Sequence, residues 1–200
     1  MGPNARLPRI HHGGRNVIKH VCSLLHSLHI SIDEAEVVRV SPPWRVPLPA
    51  VLFTETSKEE IPVLQKQRAL ETIAAVTSSI PTPHRIFTDG SLQPDGRSGS
   101  AAFSPDLDPA GGCRRLPDGS SSTYWELQGV LDAVELLCQR RVNGLVICDS
   151  QSALQAITSL RPSFTTARRI ISLLAKTQDH SLVIKFIWIP SHIGLSHNDK

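Results

Sequence analysis

Three carboxylates carry the strongest chemical signal in this chain. Asp89 stands in Thr88-Asp89-Gly90-Ser91 at the expected end of a short strand, Glu126 in the first turn of an amphipathic helix, and Asp149 directly after the apolar run Leu145-Val146-Ile147-Cys148. In a mixed sheet the carboxyl ends of adjacent parallel strands converge on one crevice, so Asp89 and Asp149 meet if their strands are neighbours. Glu126 is aligned through i+4, i+7 and i+11 with Val130, Ala133 and Leu137, a stripe that can face the sheet and bring the acid to the same edge. Like charges packed so closely repel, and hard divalent cations bound through oxygen relieve the repulsion, Mg²⁺ being the commonest in phosphate chemistry, with Mn²⁺ as a substitute. Two such ions, about 3.5 to 4 Å apart, can activate a water and stabilise the leaving oxygen of a phosphodiester. The expectation is two-metal phosphodiester hydrolysis.

Each acid also has a purely local reading. Asp89 suits a turn. Glu126 fits the third position of a capping box with Thr123 as N-cap, and Asp149 with Ser150 can form a strand-to-helix cap. What favours a shared site is that all three fall at one edge of one expected sheet. His20, His26 and His29 form no comparable set, because no carboxylate or cysteine completes them at ligand spacing; they read as helix-surface histidines.

The elements that must position these acids follow from periodicity. After Pro83 a strand at 85–88 leads to Asp89, a turn follows at Gln93-Pro94-Asp95-Gly96, and strands at 99–104 and 113–116 complete a β-meander. Leu127, Val130, Leu131, Val134 and Cys138 recur at helical spacing, and the run 145–148 is apolar on both faces, as a central parallel strand requires. Ser150 can cap a helix with Ala153, Leu154 and Ile157; Ala167, Ile170, Ile171 and Leu174 mark another; and 182–189 is a last strand with Ile184, Phe186 and Trp188 alternating against Lys185. The order βββαβααβ predicts an α/β fold: a mixed five-stranded sheet, three antiparallel strands then two parallel, flanked by helices. Before it, residues 1–82 read as a connector, with helices around 17–28 and 63–75 separated by a stretch containing Pro42, Pro43, Pro47 and Pro49.

The 200 residues suffice for one ordinary domain and exclude two large ones. A hydrophobic content of 40% and a charged content of 20% describe a globular chain, and 21 basic against 18 acidic residues, net +3, announce no partner by charge alone. Arg168, Arg169 and Lys176, with Arg114-Arg115 and Arg140-Arg141, can touch phosphates or simply face solvent; without a basic stripe, affinity for nucleic acid should be modest and salt-dependent. Four dispersed cysteines, Cys22, Cys113, Cys138 and Cys148, indicate neither a zinc cluster nor a disulfide framework, and suit a reducing compartment. The stretch 21–32 is too short and too polar for a membrane span or signal core. The chain is therefore expected inside the cell, in nucleus or cytoplasm, neither secreted nor membrane-bound.

A fourth marker is Trp188-Ile189-Pro190-Ser191-His192-Ile193-Gly194, with Asn198 beyond it. Together with Phe87-Thr88-Asp89-Gly90-Ser91, Glu126-Leu127 and Cys148-Asp149-Ser150-Gln151-Ser152-Ala153-Leu154, in that order, it resembles the ribonuclease H domain of non-LTR retrotransposon polyproteins. The resemblance covers residues 83 to 200, and the order and spacing of its motifs are specific. It implies a ribonuclease H-like sheet and hydrolysis of the RNA strand of an RNA–DNA hybrid. By position it assigns Asp89, Glu126 and Asp149 to three of four metal-binding acids and His192 to a mobile histidine that assists proton transfer or product release. Gly90, Ser91, Gln151 and Asn198 fall at substrate-side positions. Before the glutamate, where an amide side chain is common, this chain has Ser121, Ser122 and Thr123. The N-terminal region resembles the connector after a reverse transcriptase, which would then be a partner from the parent polyprotein.

In such domains the fourth acid follows the histidine by about ten residues. Here Asn198-Asp199-Lys200 begins that pattern, and the expected carboxylate would lie two residues past Lys200, on a helix that also covers the sheet. The expectation is accordingly the fold without its C-terminal helix, with impaired or absent catalysis in this form. The competing readings are an inactive element-derived fragment that binds nucleic acid or partners, and another member of the same superfamily, such as a transposase or exonuclease, which would space its acids differently.

Overall fold

A computed structural model of the chain describes Ser23 and residues 48–194 other than 58, 118 and 179. Apart from Ser23, the expected helix around 17–28, with His20 and His26, lies outside the described residues, as do His29, Pro42, Pro43, Pro47, Asn198 and Asp199.

The elements run β1 (Val51–Phe53), α1 (Pro62–Ser78), β2 (His84–Leu92), β3 (Ser98–Ser104), β4 (Asp108–Leu116), α2 (Ser122–Arg140), β5 (Gly144–Cys148), α3 (Gln151–Thr158), α4 (Thr165–Gln178) and β6 (Ile184–Trp188). One mixed sheet results, in the order β1-β6-β5-β2-β3-β4. β2, β5, β6 and β1 are parallel neighbours, while β2, β3 and β4 form the antiparallel meander. The fold is thus α/β with helices on the sheet, as the periodicity predicts, but with six strands and not five.

The sixth strand and the helix after it come from the segment expected to be a connector. Val51, Leu52 and Phe53 pair with Phe186, Ile187 and Trp188. Helix α1 begins with Pro62, whose fixed φ suits the first turn and whose missing N–H would have had no intrahelical partner there. Its Ala69, Ile73 and Val76 pack with Phe87, Leu145, Ile147 and Ile187, forming a core on one face of the sheet. On the other face Leu127, Val130, Val134 and Leu137 of α2 meet Ile86, Val146 and Phe186, together with Leu154, Ile157 and Ile170 of α3 and α4. An 82/83 boundary would cut the first of these cores, and all ten elements lie in the compact unit Arg39–Lys200. β6 is accordingly an interior strand: β1 pairs its outer edge, Ile187 is fully buried under α1, and Phe186 is fully buried under the helices of the other face.

Two strands are longer than periodicity suggests. β2 continues through Asp89, Gly90 and Ser91, paired with Ala101, Ser100 and Gly99. β4 begins at Asp108 despite Pro109, Gly111 and Gly112, because a register shift opposite Ala102 and Ser104 takes up the extra residues and Gly111 supplies φ +71°. Backbone pairing to β3 overrides weak local strand propensity here. Among the described residues no helix is long and apolar enough to cross a membrane.

Candidate functional site

The parallel ladder between β2 and β5 ends at the pair Thr88↔Cys148. Asp89 and Asp149 are the next residue on each strand, so the two acids leave adjacent backbones at the same level of the sheet. Asp89 is not a turn residue, since its backbone stays in the β2–β3 ladder. The strand-to-helix cap expected of Asp149 with Ser150 is made by Ser150, whose hydroxyl accepts the Ala153 N–H at 3.3 Å.

Glu126 comes to this edge because α2 lies almost against β2. A β-carbon on Gly90 would meet the Glu126 nitrogen at 2.6 Å, and one on Gly129 would meet the Ala101 and Asp89 carbonyl oxygens at 2.9 and 3.2 Å. Only glycine permits both approaches. The N-cap of α2 is Ser121, whose hydroxyl accepts the Tyr124 N–H at 3.3 Å, two positions earlier than the capping-box reading places it. Thr123 instead contacts the Ser152 hydroxyl at 3.0 Å. Glu126 is therefore released from capping and points to the strand ends.

Ligand atoms of Glu126, Cys148 and Asp149 all lie within 4.8 Å of one another. Burial, then the charge of Asp149, then that of Asp89 push the Glu126 carboxyl up to about 8, opposed by the Gly90 N–H donating to it. Its Oε2 is buried without a hydrogen-bond partner. Burial, chiefly, also raises the Cys148 thiol, so it remains a neutral S–H beside the acids. A half-buried carboxylate with an orphaned oxygen beside the Asp149 carboxylate, with the charge of Asp89 also acting on it, suits a hard divalent cation: the acids lack a counter-charge.

His192 is exposed on the loop leaving β6, the strand beside β5, with φ 56°. The loop is pinned from α1: Ile193 is buried in the core under the sheet, and Lys66 Nζ donates to the Gly194 carbonyl at 2.6 Å. Two clefts open on the acids. One, of about 790 Å³, is lined by Asp149, Gln151, Trp188 and Ser191 together with Phe53 and Gln65. The other, of about 440 Å³, holds Asp89 and Ser91 with Arg97, Arg114 and Arg115. Arg114 also pairs with Asp132, and Arg97 with Asp95. Arg168 and Arg169 serve the framework, bonding the Pro162 carbonyl at 2.9 Å and Glu135 at 2.8 Å.

Glu126 and Asp149 are thus brought within ligand distance of each other, whereas Asp89 lies outside that set, at the end of the neighbouring strand and close enough for its charge to act on Glu126. Ser91 and Gln151 line the flanking clefts, and His192 follows the cleft-lining Pro190 and Ser191. Asn198 lies outside the described residues. Sequence reasoning missed Cys148 as a neighbour of the acids, Lys66 as an anchor, and the contribution of Phe53 and Gln65. The apolar run Val51-Leu52-Phe53 after Pro49 is the signal that would have identified β1. Comparison of the chain with protein-family models and with curated proteins gives no match.

Proposed function

We propose that the chain is a divalent-metal-dependent nuclease of ribonuclease H type, hydrolysing the RNA strand of RNA–DNA hybrids. The observation that carries this reading is the buried, unpartnered Glu126 oxygen held beside Asp149 where two parallel strands end. The order of the motifs around Asp89, Glu126, Asp149 and His192, and a mixed sheet with a meander first and parallel strands after, support the ribonuclease H assignment.

Asp89, Glu126 and Asp149 would hold the ions, which when bound supply charge neutralisation at the scissile phosphate and an activated water. The chain's own residues prepare that step. Gly90 and Gly129 fix the distance between α2 and β2, and the Gly90 N–H favours the charged form of the Glu126 carboxyl. Ser91 and Gln151, both exposed, are free to meet a 2′-hydroxyl, the group by which RNA differs from DNA. Arg97, Arg114 and Arg115 beside Asp89 offer cations to the phosphate backbone. The exposed His192 imidazole can carry a proton to the departing strand end.

The test is incubation of the purified chain with a labelled hybrid and Mg²⁺, beside a form extended through the expected fourth acid. The expected result is cleavage of the RNA strand that is weaker in the given chain than in the extended form and disappears in Asp89→Asn. Cleavage by the extended form alone would place the deficit in the fourth acid. Binding without cleavage in both forms would favour the inactive-fragment reading, and cleavage unaffected by Asp89→Asn would refute the metal assignment.

A further inference from the structure

The cleft beside Asp149 contains an aromatic edge that the carboxylate site does not use. Phe53, the last residue of β1, is 42% exposed, and its ring centroid lies 6.4 Å from that of Trp188 with the planes tilted by 37°. This edge is firmly held. The Thr54 N–H and hydroxyl both donate to the Trp188 carbonyl, at 3.2 and 2.7 Å. The Trp188 indole N–H in turn donates to the Asp149 carbonyl at 2.8 Å. The aromatic pair is thereby tied to the backbone of an acid at the strand ends.

The remaining lining is neutral or acidic. Gln65, Gln151 and Gln155 contribute amides, the last two one turn apart and exposed on α3, and Glu55 adds a negative charge. Among the described residues no lysine or arginine lines this cleft, in contrast to the three arginines beside Asp89. A phosphate would find repulsion here. A nucleobase would find a π face to stack on and amide groups for its edges. The volume, about 790 Å³, is within the range of sites that enclose small organic ligands.

Resting on the nuclease reading, we propose that the Phe53–Trp188 cleft binds an unpaired base of a single-stranded tail that continues from the paired substrate past Asp149. The two clefts then divide the work: the arginine-lined one meets backbone phosphates, and the aromatic one receives a base beyond the duplex.

The experiment titrates the full chain in EDTA, where no cleavage occurs, with labelled single-stranded oligoribonucleotide and oligodeoxyribonucleotide. It then uses short hybrids that are blunt or carry a three-nucleotide tail on either strand. Fluorescence anisotropy is read for the chain and for Phe53→Ala, Phe53→Leu and Phe53→Trp. The chain should bind single strands, and tailed hybrids about five- to tenfold more tightly than blunt ones, the lower part of the span that base stacking on an aromatic supplies. Phe53→Ala and Phe53→Leu should erase that preference and Phe53→Trp should keep it. The arm with the larger preference names the strand. Equal binding by Phe53→Ala, retention of the preference in Phe53→Leu, or no binding of single strands by the unmodified chain would each overturn the proposal. A parallel Mg²⁺ assay separates the two readings. Phe53-dependent tail binding without cleavage by either the chain or its extended form would remove the nuclease assignment and keep the base site, whereas cleavage indifferent to tail and to Phe53 would do the reverse.

Discussion

Gly90 and Glu126 are in backbone contact: a methyl group in place of one Gly90 hydrogen would lie 2.6 Å from the Glu126 nitrogen and 2.8 Å from the carbonyl carbon of Trp125. Neither neighbour is a side chain that can swing aside. The Gly90 N–H also favours the charged form of the Glu126 carboxyl, so the residue that sets the helix-to-strand distance acts on the acid as well.

Gly90→Ala should therefore push the start of α2 away from β2 and lower stability by about 1–3 kcal/mol, the usual cost of overpacking. Hybrid cleavage should fall much further than stability, because Glu126 leaves its partners. Thermal melts beside cleavage rates check this; an unchanged rate in Gly90→Ala would contradict the placement of Glu126.

In the metal-free chain, stability should fall as pH rises from about 4.5 to about 8. Folded Glu126 holds its proton up to about 8, whereas in the unfolded chain it releases it near 4.5, so within that window the folded state binds more protons and loses its advantage with each step upward. The loss should be on the order of 3 kcal/mol across the window. Glu126→Gln should flatten the curve and be the more stable form at pH 8. Urea melts in EDTA at several pH values measure it.

Divalent cations should reverse that loss. An ion that binds the folded state alone stabilises it by mass action, roughly 2.7 kcal/mol at a hundredfold excess over its dissociation constant. Mg²⁺ or Mn²⁺ should raise the melting temperature more at pH 8 than at pH 5, where protonated Glu126 competes. Asp149→Asn should abolish most of the gain, as read by differential scanning fluorimetry.

A chain beginning at residue 83 should fail to fold stably. Without β1 and α1 the sheet face made by Phe87, Leu145, Ile147 and Ile187 loses its cover of Ala69, Ile73 and Val76, and β6 becomes an unpaired edge. Circular dichroism and gel filtration of the two forms should show a cooperative melt only in the longer one.

Lys66→Met should lower cleavage about threefold with little change in melting temperature. The bond from Lys66 to the Gly194 carbonyl is exposed, so its loss costs about 1 kcal/mol or less, yet it restrains the loop that presents His192. A flattening of the pH–rate profile in the variant would show that the effect passes through the imidazole.

From the linear chain alone the acids, the meander, the apolar β5 and the helices after it were all readable, because each depends on local periodicity or on a short motif. The cap at Ser150 was readable for the same reason. The capping box at Thr123 was misplaced, since the choice between Ser121 and Thr123 depends on how α2 docks on β2, a contact made through Gly90 and Gly129 with partners far away in sequence. The roles of Val51–Phe53 and of α1 were hidden too: a three-residue strand has little pattern of its own, and its partner lies more than 130 residues later at Phe186–Trp188. What brings Glu126 against Asp149, leaves its Oε2 without a partner and sets Phe53 beside Trp188 is long-range packing. Side-chain types and spacings determine which groups are available for chemistry; which of them share a space, and how far burial shifts their charge, is decided only when distant segments close on one another.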